Sequence, residues 1–221
     1  EKRGRNAAIG AAGGALAGGA AGYYTERQKQ ITDDNQRIAS YSTDFNKSAS
    51  DIDRSTAYAK ASQQCYQSAF TKLVSDRKAK TVNDTEGRKR LAEIVAGLKE
   101  SNDLIVAVNG KASEDLNNYT QAYEKDLQQV GVQRNDVVTV ATADTTTVTP
   151  PAKGKKAVKP AKKKALPVVP QEAVTTEKSI QTVQAKQAQS KQVASAGKAQ
   201  LEGSCRDPNL ADWAPVPCPN V

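Results

Sequence analysis

The chain has 221 residues and a net charge of +8, with no His, no Met, one Trp, two Phe and seven Tyr. That length suffices for one or two domains, but so few large side chains argue against a thick globular core and for long helices packed side by side. Without His there is no imidazole-based zinc site, no Ser-His-Asp or Cys-His nucleophile, and no general base of the commonest kind near neutral pH. The missing Met points to a processed chain or to a true start that lies upstream. The charge is concentrated: Lys2, Arg3 and Arg5 against Glu1 give +2 over residues 1–24, and seven Lys against Asp144 give +6 over 139–170. The rest is balanced, so an acidic partner should meet the Lys-rich stretch first.

Residues 7–24 are an uncharged run of Ala, Gly and a few apolar residues. As a helix, eighteen residues rise about 27 Å, near the lower limit for crossing a bilayer. Gly10, Gly14, Gly18 and Gly22 recur at every fourth position and form a ridge without side chains, against which another helix can pack closely. Ile9, Leu16 and Tyr23 lie on a different face. The spacing predicts a membrane-inserted or oligomer-packed helix over 1–24, in preference to a signal peptide or a flexible tail.

This Gly/Ala run, with Gly10, Gly14, Gly18 and Gly22, resembles the glycine-zipper segments of Gram-negative envelope proteins. The resemblance covers about 20 residues. It implies an envelope location and self-association, and it implies no reaction. The lipid-modified Cys that often precedes such a zipper is not visible.

Residues 25–136 are predicted to form a long helical hairpin or coiled coil. From Thr25 to Lys80 there is neither Pro nor Gly, and Ile31, Ile38, Phe45, Ile52, Ala59, Tyr66 and Leu73 recur every seventh residue as one seam of a coiled coil. The companion positions Asp34, Tyr41, Ser48, Ser55, Ser62 and Ala69 are small or polar, which suits close approach in a multi-helix assembly. Asn83, Asp84 and Gly87 interrupt the pattern, and Thr85 is the expected cap of a second helix over about Glu86–Val130. Its stripe runs through Leu91, Ile94, Leu98, Ile105, Val108, Ala112, Leu116, Tyr119, Tyr123, Leu127 and Val130. Gly97 lowers the propensity, and Gly110 reads as a bend, a tight contact or a solvent-exposed irregularity. The cluster Arg88-Lys89-Arg90 is a candidate contact for an anionic surface.

Residues 137–170 read as a linker. Val137-Val138-Thr139-Val140 favours a short strand. Lys153, Lys155, Lys156, Lys159, Lys162, Lys163 and Lys164, interspersed with Pro, should be extended unless bound. These Lys are candidates for contact with anionic lipid or cell wall. Nucleic acid is the less favoured partner, because Arg for base edges and aromatic residues for stacking are missing there.

A third helix is predicted over 171–203, ended by Gly203, with Val174, Ile180, Val183 and Val193 as a sparse apolar stripe. The tail 204–221 holds Cys205, Cys218 and the single Trp213, expected as a packing anchor rather than a ligand stack. Cys205 with Cys218 is the favoured disulfide, which implies an oxidising compartment. Pairing through Cys65, or fully reduced thiols, stays open.

The expected fold is thus all-α: a glycine-zipper helix, a long hairpin or coiled coil, a basic linker and a third helix. No residues converge on a catalytic pattern, so no enzyme, cofactor or metal is expected. The function expected is that of a structural or assembly component of a cell-envelope complex, homo-oligomeric and bound to other envelope proteins. A membrane pore or translocation conduit, bacterial or phage, is the alternative. The expected location is the periplasm, membrane-associated, with the outer membrane favoured over the inner.

Overall fold

The computed structural model describes residues 28, 30–145 and 165–219. The glycine ridge at Gly10, Gly14, Gly18 and Gly22 and the Lys run from Lys153 to Lys164 lie outside the described residues. The chain is all-α: α1 is Asp34–Lys78, α2 Asp84–Gln129, α3 Arg134–Thr145 and α4 Gln171–Arg206, followed by a 3-10 turn at Ala211–Trp213.

Local chemistry sets the helix ends. The α1 pattern was open to a start at Thr25, but residues 31–33 are not helical. The Asp33 carboxylate accepts the N–H of Gln36 at 2.8 Å and caps the first turn. At the far end Lys80 takes φ 56°, while the N–H of Thr81 reaches the carbonyl of Asp76 and that of Lys80 the carbonyl of Arg77. That pair closes a Schellman turn with a lysine where glycine is usual. The cap of α2 is Asn83, not Thr85: its side-chain oxygen accepts the N–H of Glu86 at 2.9 Å. Gly131, at φ 73°, ends α2 in the same way, with Val132 N–H on the Leu127 carbonyl.

Two expectations are revised. The Val137–Val140 stretch is helical, because Val137 and Ala141, one turn apart, are both fully buried and Arg134 forks onto Glu177 at 3.1 and 3.0 Å. Burial and pairing outweigh the β preference of branched residues. Likewise α4 runs through Gly203 to Arg206. Leu201 and Cys205, one turn apart on either side of Gly203, are buried and carry the helix past it.

The placement in the periplasm as a membrane-associated chain, at the outer membrane in particular, is corrected. Among the described residues no helix is long and apolar enough to cross a membrane. Ionised side chains recur along α1, α2 and α4, and each would cost about 2.5–3.5 kcal/mol at the bilayer centre.

The chain divides into two compact units. In its described part the first takes in residues 48–114 and 184–219. Its main core joins Phe70, Leu73, Leu91, Ile94, Val95, Leu98, Leu201, Leu210 and Trp213. A smaller cluster holds Ala59, Ile105, Val193 and Ala194. The second unit takes in 28, 30–47, 115–145 and 165–183. Ile38, Phe45, Tyr123, Leu127 and Ile180 are its largest fully buried side chains. Edge-to-face pairs Tyr41–Tyr123 and Phe45–Tyr119 sit at ring separations of 5.9 and 6.0 Å, the geometry aromatic quadrupoles prefer.

Candidate functional site

In the first unit glycines make room for side chains of neighbouring helices. A methyl on Gly97 would stand 2.1 Å from the Tyr66 ring, and one on Gly197 2.5 Å from the Asn102 side-chain oxygen. Gly97, expected only to weaken its helix, is therefore a contact point. Gly110 faces open space, which settles it as the exposed irregularity. Polar side chains also join these helices. Gln63 donates to the Val193 carbonyl at 2.9 Å, Gln200 to the Gln63 carbonyl at 2.9 Å, and Gln187 to the Asn109 carbonyl at 3.2 Å. Such side chain to backbone bonds fix register as well as position, since a shifted helix would strand the donors.

The end of this unit is closed by the C-terminal tail. Cys205 and Cys218 are joined, with Cα atoms 6.1 Å apart, while Cys65 is free and exposed. The loop between them buries Leu210 and Trp213, and the Trp213 ring lies on Gly87. Around the rim, Arg77 donates both terminal nitrogens to the Asp212 carboxylate at 2.7 Å, donates to the Asn209 carbonyl at 2.6 Å, and stacks over Trp213 at 4.1 Å. The Arg77 guanidinium holds the Asp212 carboxyl below its ordinary value. Arg88 donates to the Asp212 carbonyl at 2.7 Å, and Arg90 pairs with Glu86 and Asp76. Two of the three cations in Arg88-Lys89-Arg90 thus have partners inside the fold.

The second unit carries a polar cleft of about 570 Å³ lined by Gln28, Arg37, Tyr41, Asn118, Gln121, Lys125 and Asp126 among others. Tyr41 donates to Asp126 at 2.8 Å, and Arg37 meets the other oxygen of the same carboxylate at 3.2 Å. Burial first, and Asp126 second, push the Tyr41 phenol far above its ordinary value. It therefore stays a proton donor at neutral pH and cannot serve as a base there. Burial alone would lower Arg37, but Asp34 and Asp126 raise it above its ordinary value. Tyr123 is likewise raised, chiefly by burial and then by the charge of Glu177; its hydroxyl donates to the Ala173 carbonyl at 3.1 Å. Each of these groups ties one helix to another. Among the described residues no group of three or more His, Cys, Asp or Glu could hold a metal ion.

Of the heptad positions read from the sequence, Ile38, Phe45, Ile52, Ala59 and Leu73 are buried; Ile31 and Tyr66 are half-buried. The polar partners of the seam were not legible as sites. Arg37 and Asp126 stand 89 positions apart and Arg77 and Asp212 135, so only the fold brings them together. No family model matches the chain, and no curated protein or solved structure matches it significantly.

Proposed function

We propose that the protein is a structural or assembly component that acts by holding surfaces in place and by associating with further copies of itself. In this reading residues 1–24 form a glycine-zipper helix, as in the glycine-zipper proteins the segment resembles. The seam through Ile31, Ile38, Phe45, Ile52, Tyr66 and Leu73 belongs to a hairpin or coiled coil. The supporting observation is that glycines already serve as helix contact points in the described residues: Gly97 makes room for the Tyr66 ring, and Gly197 for the Asn102 and Gln63 side chains. The N-terminal segment concentrates glycines at every fourth position in Gly10, Gly14, Gly18 and Gly22. Bulk on that ridge would push a neighbouring backbone away and remove dispersion contacts along the whole interface.

The test is the mass of the full chain in solution by light scattering, wild type beside Gly14→Leu with Gly18→Leu. Loss of the oligomer is expected, even though Leu is the better helix former. An unchanged mass rejects the zipper as the assembly element.

A further inference from the structure

The part of α4 that belongs to the first unit, residues 184–206, is not held evenly along its length. At its end, Leu201 and Cys205 are buried in the main core with Phe70, Leu73, Leu91 and Trp213, and the disulfide ties Cys205 to Cys218. Over residues 187–197 the buried positions are Gln187, Ser190, Val193, Ala194 and Gly197. Only Val193 and Ala194 join an apolar cluster there, with Ala59 and Ile105. Hydrophobic stabilisation follows the apolar area buried, and Ala, Ser and Gly have little of it to give. Ser190 and Gly197 also lower the helix propensity of the stretch relative to Ala.

The polar groups of this seam are incompletely paired. Ser190 Oγ on α4, and Asn102 Oδ1 and Asn109 Oδ1 on α2, are buried without a hydrogen-bond partner. Asn102 and Asn109 stand seven residues apart, as do Ser190 and Gly197, and the Asn102 oxygen lies over Gly197. A buried polar atom left unpaired gives up its bonds to water and gains none in return. Gln63 does donate to the Val193 carbonyl, and Gln187 to the Asn109 carbonyl. Opening exchanges such bonds for bonds to water, so the net hold of each is small. The same opening hydrates all three unpaired oxygens.

We propose that residues 187–197 are a strap that opens locally from α1 and α2, while Leu201, Cys205 and the disulfide keep the end of α4 fastened. The opening is a conformational step of the folded chain, separate from unfolding of the unit.

Amide hydrogen exchange of the full chain, followed by mass spectrometry and corrected for intrinsic rates, tests this. Exchange over residues 187–197 should be at least about tenfold faster than over 199–206. Equal protection of the two stretches overturns the proposal. Two single changes then test the cause. Ser190→Ala and Ser195→Ala raise helix propensity alike, but Ser190 is buried and Ser195 exposed. Ser190→Ala should slow exchange over 187–197 about fivefold more than Ser195→Ala does, the effect of removing one unpaired buried hydroxyl. Equal slowing by the two changes, or faster exchange in Ser190→Ala, overturns the proposal as well, because the hydroxyl would then not weaken the hold on the strap.

Discussion

Two alanines in one helix should act with opposite sign. Gly87 and Gly110 both lie in α2, and by propensity alone each change to Ala would add about 1 kcal/mol of stability. At Gly110 there is nothing within 4 Å of the added methyl, so Gly110→Ala should realise that gain. At Gly87 the methyl would stand 2.3 Å from the Trp213 ring, which must retreat by roughly 1.2–1.7 Å to reach ordinary contact distance. The ring cannot do so freely. It lies under Arg77, inside the loop closed by Cys205 and Cys218, and against a buried cluster. Overpacking of this kind costs about 1–3 kcal/mol, and expelling the ring altogether about 3–5 kcal/mol. After the propensity gain is credited, the net expectation for Gly87→Ala is a loss of up to about 2 kcal/mol if the ring retreats and about 2–4 kcal/mol if it is expelled. Urea unfolding followed by circular dichroism measures it, and Trp213, the single tryptophan, reports the cap directly by its emission. A Gly87→Ala protein as stable as Gly110→Ala, with unshifted emission, would refute the packing of Trp213 on Gly87.

Two further expectations concern the same cap. Cys205→Ser with Cys218→Ser should lower stability by about 2–3 kcal/mol, the effect of opening a loop of this size in the unfolded chain; equal unfolding midpoints with and without a reductant would contradict it. On acidification the cap should loosen through Asp212, whose carboxyl lies below its ordinary value of 3.8. A carboxylate depressed by folding lends stability above its unfolded value and loses it as pH falls through the folded one. The change in Trp213 emission should therefore come below pH 3.8, and Asp212→Asn should show the loosened emission already at neutral pH.

The all-α class was legible in the sequence because it rests on local rules. Long stretches without Pro or Gly allow helices, and a seven-residue apolar repeat selects the face to bury. Ile38, Phe45, Ile52 and Leu73 are buried for that reason. The disulfide partners were legible too, since Cys205 and Cys218 bracket a short Pro-rich loop. Where two local rules competed, the tertiary structure decided. Val137 to Val140 reads as a strand by propensity, yet Val137 and Ala141 gain more by burial on one helical face. Gly203 reads as a stop, yet Leu201 and Cys205 are buried on either side of it. Gly97 and Gly110 are equivalent in the sequence. Only packing makes the first a contact with Tyr66 and leaves the second facing solvent. The ion pairs show the same division most plainly. Arg77 with Asp212, Arg37 with Asp126 and Arg134 with Glu177 join residues far apart in the chain. A charge has no periodicity that names its partner, so pairing is set by which helices lie together and at what register.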